Sequence, residues 1–182
     1  LSEKTLAIIL KEIENIKKVL EESQELTTKE ELKKIEGKYK DLVYGSNNDS
    51  FKNSYSMQPI SAEVQHIVDK LPNKYSVSDK ADGDKYVLFI YNDSCYLISS
   101  NLVVKKLGMK IKGYNNTILE GELIHLTNNN KYLYLGFDCL FYKGEDVRSN
   151  VLLKDRLSNL RDVLNKLTIT EYSFSEFKPK SG

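Results

Sequence analysis

Disulfide scaffolds, zinc modules and membrane spans all need residues that this sequence has little of. Its 182 residues include two cysteines, two histidines and three prolines. Cys95 and Cys139 each sit inside an apolar segment with no Cys or His nearby at metal-ligand spacing. That argues against a disulfide framework or a zinc site, and both thiols read as buried residues of a reducing, intracellular compartment. No apolar run approaches the roughly eighteen residues that cross a bilayer. The amino-terminal stretch alternates charged with apolar residues where a signal peptide would have an uninterrupted apolar core, so neither a membrane partner nor secretion is expected. Charge of one sign is also lacking: 27 Lys and Arg face 26 Asp and Glu, a formal net charge of +1. No global field then attracts nucleic acid or anionic lipid, and any polyanion must be held by a local cluster.

What the chain does have is core material. Hydrophobic residues make up 40% and charged residues 29%, with nine glycines, which excludes a disordered, collagen-like or low-complexity protein. A chain of this length buries about 70% of its unfolded surface as one large domain or two small ones. It begins at Leu1 without Met and stops at Lys180-Ser181-Gly182, and so reads as a piece of something longer. Leu6, Ile9, Ile13, Ile16 and Leu20 recur at spacings of three and four, the seam of a helix that packs on a partner. That seam lays the helix against its own domain, or else offers a surface for a protein partner or for self-association. Thr27 with Glu30 and Thr28 with Glu31 each form a capping box ahead of a second helix whose Leu32, Ile35, Tyr39 and Leu42 share a face. The two helices predict a hairpin over 1–44. Residues 45–59 are polar and rich in turn formers and read as a linker, leaving 60–182 as a second unit.

In that unit Ser61 is placed to cap a short helix carrying Val64, Ile67, Val68 and Leu71 and ending at Pro72-Asn73, with His66 as a surface or packing residue. Strands follow. Tyr86 to Tyr91 is apolar throughout, Asn92-Asp93-Ser94 is a hairpin turn, and Cys95 to Ile98 resumes. Leu102 to Val104, Met109 to Ile111, Thr117 to Leu126 and Tyr132 to Tyr142 continue the block, with Asn128-Asn129-Asn130 as a further turn. The pattern predicts a mostly antiparallel sheet. In its last strand Leu133, Leu135, Phe137, Cys139 and Phe141 are expected on one face. Leu153, Leu157, Leu160, Leu164 and Leu167 then mark a helix over 152–167.

The polar loop Ser78-Asp79-Lys80-Ala81-Asp82-Gly83-Asp84-Lys85 feeds straight into an apolar strand, and loops on rigid scaffolds carry function. Lys80-Ala81-Asp82-Gly83 resembles the Lys-x-Asp-Gly signature of the covalent nucleotidyltransferases, the superfamily of mRNA capping guanylyltransferases and ATP-dependent polynucleotide ligases. About forty residues on, Leu119-Glu120-Gly121-Glu122-Leu123-Ile124 is similar to the family's acidic strand. Some fifteen residues further, Phe137-Asp138 within Tyr134 to Gly144 is similar to its Phe-Asp strand. Each tetrapeptide is weak alone, but three in order at these separations over roughly 58–167 carry the resemblance. The run from Gln58-Pro59 to Phe89-Ile90 most resembles the guanylyltransferase part of capping enzymes from large DNA viruses. That resemblance implies an α+β fold in which 60–182 is part of an antiparallel-sheet nucleotidyltransferase domain, ATP-grasp-like and ligase-type. It also implies a host cytoplasm or virion setting.

The implied activity is transfer of GMP from GTP through a lysyl-GMP intermediate to the 5′-diphosphate end of RNA. Lys80 would be the catalytic nucleophile, with Asp82, Gly83, Lys85, Glu122 and Phe137 binding nucleotide, Phe137 by stacking on the purine. Glu122 would also hold Mg2+ or Mn2+. An ordinary lysine amine is protonated at neutral pH, so the reaction needs surroundings that free it. Asp79, Asp82 and Asp84 are accordingly expected to face away from the amine or toward the metal. Gly83 is expected to let backbone approach the nucleotide. Glu120 and Glu122 alternate onto one strand face and so look into one cleft, whereas Asp138, on the other face from Phe137, is expected to fix local backbone or helix geometry. The sequence departs from the family pattern at Lys85, where an arginine is common, which removes a planar fork, and at Tyr96-Leu97-Ile98-Ser99-Ser100, where Asp-Arg is common. No match is found for the family's later Asp/Glu-Gly-hydrophobic and Lys-x-Lys strands, Phe177-Lys178-Pro179-Lys180 being a poor one, so the piece itself is expected to lack full activity. Two alternatives stand beside this reading: the adenylation domain of an ATP-dependent DNA or RNA ligase, and a non-catalytic docking module with an inert lysine motif.

Overall fold

The computed structural model describes residues 27–45, 53–55, 61, 63–69, 76, 80, 82–126, 131–149, 152–169 and 177–181. The helix expected over residues 4–22, the turn at 128–130 and most of the 45–59 linker lie outside them. Among the described residues two long helices flank one sheet. Helix α1 spans Lys29–Tyr44, α2 Val64–Asp69 and α3 Leu153–Lys166. The strands are β1 Asp84–Tyr91, β2 Ser94–Ser99, β3 Val104–Lys110, β4 Thr117–Leu126, β5 Lys131–Tyr142, β6 Glu145–Asp146, β7 Thr168–Ile169 and β8 Phe177–Ser181. Their order is β6-β5-β4-β1-β2-β3-β7, with β8 also on β5. All pairs are antiparallel except β5 with β8. The fold is therefore mixed helix and largely antiparallel sheet, as expected of an α+β chain, with one parallel pair. Phe177-Lys178-Pro179-Lys180 forms most of that added strand.

Local chemistry explains the elements. Thr28 Oγ1 accepts the Glu31 amide at 3.1 Å, the second of the two possible capping boxes. Gly45, at φ +76°, ends α1 in a conformation that side chains resist, its N–H bonded to the Asp41 carbonyl at 3.0 Å. Asn92 and Asp93 both take positive φ, 50° and 58°, as a two-residue hairpin turn that follows the strand twist requires. β1 is apolar from Tyr86 on because it is central, and Val87 to Ile90 are buried on both faces.

On one face Ile35, Tyr39 and Val43 of α1 pack with Val87, Phe89, Tyr96, Ile98, Ile118, Leu140 and Phe141. On the other, Leu160 and Val163 of α3 pack with Leu88, Ile90, Leu97, Leu107, Met109, Leu119, Tyr134 and Cys139. The expected linker takes part in this packing. The Tyr55 amide donates to Tyr39 Oη at 2.9 Å, the Tyr44 hydroxyl donates to the Asn53 carbonyl at 3.1 Å, and the Ser54 amide donates to the Ser100 carbonyl at 2.8 Å. Arg148 lies between the rings of Tyr55 and Phe141, 4.6 and 4.8 Å from their centroids, and pairs with Asp146.

Val64 and Val68 of the six-residue α2 are exposed. Two expectations need correction. The two short strands expected at 102–104 and 109–111 are one strand, β3, whose pairing with β2 shifts register between Lys106 and Lys110. The residues Leu133 to Phe141 do not share one face. Pairing with β4 skips Phe137, between Gly121↔Gly136 and Glu120↔Asp138, and skips Leu140, between Leu119↔Cys139 and Ile118↔Phe141. Each skipped residue is a β-bulge, and each bulge resets the alternation. Cys139 therefore joins the α3 side and Phe141 the α1 side.

Candidate functional site

The α1-side face of the sheet is apolar under the helix and polar beyond it. Strand register sets this up. Lys85 pairs with Glu122 and Val87 with Glu120, so Lys85, Glu120 and Glu122 project from one face past the Val87–Phe89 core, as the alternation of the two glutamates predicts. Lys85 Nζ lies 2.6 Å from Glu120 Oε1 and 5.9 Å from the centroid of the Phe137 ring. Glu122 Oε2 accepts the Gly83 amide at 3.1 Å. The strand bearing the acidic motif is thus bonded directly to the end of the lysine motif, and the aromatic of the third motif stands over the same patch.

Burial differs sharply among these groups. Glu120 is 2% exposed and Phe137 37%. Desolvation pushes the Glu120 carboxyl above the ordinary carboxylate range, with Lys85 acting in the opposite direction. Its Oε1 has this ion pair but no well-formed hydrogen bond. A carboxylate is kept in such a place only when a cation compensates it, so Lys85 and Glu120 behave as a unit. Lys80 and Asp82 occupy the loop that enters β1. Both side chains are exposed, and Lys80 Nζ lies 3.8 Å from Asp82 Oδ1. The expectation that Asp82 turns away from the amine is not met: in open solvent two opposite charges two residues apart pair with each other.

Gly83 has a reason within the fold besides the one expected. A Cβ there would meet the Leu123 carbonyl oxygen at 2.7 Å and Ile124 Cγ1 at 2.9 Å, so β4 itself demands glycine. Asp138 acts on geometry, as expected. Its carboxylate accepts the Cys139 amide at 2.7 Å and binds the Arg156 fork of α3 at 2.7 and 3.0 Å. Cys95 and Cys139 are buried free thiols, each pushed up to about 12 mainly by burial.

Sequence reasoning missed Arg156, the anchor of Asp138, because an arginine among the charged residues of a leucine-rich helix carries no positional signal. It also missed Tyr134, whose hydroxyl donates to the Leu119 and Tyr86 carbonyls at 3.2 and 3.3 Å beneath the site. A signal for Tyr134 existed: Gly121 and Gly136 interrupt adjacent strands, and strand glycine marks a close approach. No group of three or more potential metal ligands occurs among the described residues. The available donors are carboxylate oxygens, which suit a hard cation bound through one or two carboxylates and substrate phosphates.

The fold is thus a mixed α+β sheet that gathers two carboxylates, an ammonium and an exposed ring on one face beside Gly83. The particular family comes from comparison of the chain with known proteins. A model of the family described as mRNA capping enzyme, catalytic domain, matches residues 13–175, and the chain belongs to that family. It is 31% identical over 173 residues to a probable mRNA-capping enzyme of Acanthamoeba polyphaga mimivirus, an alignment covering 93% of this chain and 14% of that protein. The chain spans about a seventh of that relative's length.

Proposed function

We propose that this chain is the nucleotide-binding part of an mRNA guanylyltransferase. The observation that carries the reading is the bond from the Gly83 amide to Glu122, which joins the lysine motif to the acidic strand on the face where Lys85 and Phe137 also converge. Membership of the capping enzyme family supports it.

In this reading the unprotonated Lys80 amine attacks the α-phosphorus of GTP. A nitrogen–phosphorus bond forms, the bond to pyrophosphate breaks, and the amine gives up a proton as the lysyl-GMP phosphoramidate is completed. The 5′-diphosphate end of RNA then takes the GMP and returns the amine. The Lys80 side chain is exposed a few residues ahead of β1, which is compatible with that role. Phe137 offers one ring face to the guanine, a contact worth about 1–3 kcal/mol per stacked base. Lys85, a point charge held by Glu120, makes a single ribose or phosphate contact in place of a bidentate one. Glu122, together with phosphate oxygens, would hold Mg2+ or Mn2+, which when bound supplies neutralising charge at the phosphates.

The test offers labelled GTP and labelled ATP in turn to a polypeptide that also carries the later family motifs, and follows radioactivity into the protein band. GTP is expected to label it and ATP is not. Lys80→Ala is expected to abolish labelling while changing stability by no more than about 0.5 kcal/mol, as an exposed side chain should. Labelling retained by that variant would overturn the role of Lys80.

A further inference from the structure

Phe137 is 37% exposed between two buried neighbours, Gly136 and Asp138. Alternation from Leu135, which pairs with Glu122, turns Phe137 to the Lys85 side, but the ladder with β4 passes Phe137 over, so no cross-strand partner holds it there. A bulge of this kind disrupts the ladder locally and leaves backbone groups to be satisfied by other means. Here both neighbours of Phe137 are held from α3, which packs on the opposite face of the sheet from Lys85. A Cβ on Gly136 would lie 2.8 Å from Leu160 Cδ1, so the backbone at 136 rests against that side chain. The Asp138 carboxylate takes the Cys139 amide and both arms of the Arg156 fork. A planar fork on a carboxylate fixes orientation as well as distance, which a lysine would not do.

We infer that Arg156 is a positioning residue for Phe137: through Asp138 it holds the bulge that presents the Phe137 ring to the nucleotide base. The inference rests on the proposal that Phe137 faces the base. It assigns to α3, which lies across the sheet from the site, control over the stacking surface. Arg156 itself touches no substrate in this arrangement.

The test places 4-fluorophenylalanine at position 137 of this chain and follows its fluorine resonance during titration with GTP and Mg2+. Arg156→Gln is expected to shift or broaden the resonance of the free protein and to raise the GTP midpoint at least about fivefold, the lower end of what a lost base–aromatic stack gives. Arg156→Lys, which keeps the charge and loses only the fork, reports the same geometry if Arg156→Gln fails to fold, and is expected to fall between wild type and Gln. Val163→Ala removes buried volume from the same helix away from the fork, and is expected to leave resonance and midpoint in place. Unchanged resonance and midpoint in the Arg156 variants, or an equal change in Val163→Ala, would overturn the inference while leaving Phe137 as base partner. A wild-type resonance indifferent to GTP would overturn that reading of Phe137 and the inference with it, and is seen without any change at Arg156.

Discussion

Asp162 shows how one side chain pins a helix to the sheet. It accepts the hydroxyls of Tyr114 and Tyr142, each at 2.7 Å. The bond from Tyr114 first, then that from Tyr142, holds its carboxyl below the ordinary value of 3.8. The phenols move the other way, both up to about 12, Tyr114 mainly through Asp162 and Tyr142 mainly through burial. A depressed carboxyl contributes stability that is present above its unfolded value and is lost as pH falls through its folded value. Asp162→Asn is therefore expected to lower the melting temperature at neutral pH and to flatten its decline between about pH 5 and pH 2, as a pH series of thermal melts would reveal. Glu120 and Gly83 differ in how far the sequence disclosed them. The spacing of Glu120 from Glu122 gave its face, but nothing in a strand of apolar neighbours revealed that its charge would be buried and neutralised by Lys85. Gly83 was identified by its motif, but the motif did not disclose the close approach of Leu123 and Ile124, about forty residues away in sequence.

Strands β4 and β5 are built around two facing glycines, and the two are not equivalent. A Cβ on Gly121 would overlap the Tyr134 ring and lie 2.5 Å from the Leu135 carbonyl oxygen, neither of which has room to yield. A Cβ on Gly136 would meet the end of Leu160, a flexible side chain. Gly121→Ala is expected to cost about 1–3 kcal/mol or more, and Gly136→Ala less, in urea denaturation. Equal costs would sink this account of the two positions. Elements whose ends are written in local chemistry were readable: Thr28 as a cap, Asn92-Asp93 as a left-handed turn, Leu160 on the buried side of α3. The bulges were not, because β5 is apolar at most positions from Leu133 to Phe141, and a pattern with few polar residues cannot register one residue inserted into it. β3 was misdivided because Lys105, Lys106 and Gly108 break its apolar pattern, in a stretch where its pairing with β2 is itself irregular.

The molecule as a whole is a sheet clad on both sides by helices from opposite ends of the described chain. α1 and α3 never need to touch, since each buries its own face of the same strands. No helix among the described residues is long and apolar enough to cross a membrane. The boundary expected at 45–59 runs between segments that share a core, because Ile35, Tyr39 and Val43 lie with Phe89 and Ile118. Ile35→Ala and Leu160→Ala are each expected to cost about 2–5 kcal/mol and to shift one common unfolding transition seen alike by circular dichroism and tyrosine fluorescence. Two separate transitions would show that the helix and the sheet are independent units. The sheet also has a margin. β7 pairs only with Met109 and Lys110 of β3, so from Val104 to Gly108 no strand among the described residues lies on the outer side. Lys105 is exposed at that margin, and Lys106 turns back to Glu31 of α1 at 3.7 Å. A solvent-facing lysine on an uncovered sheet edge makes the addition of a further strand there unfavourable.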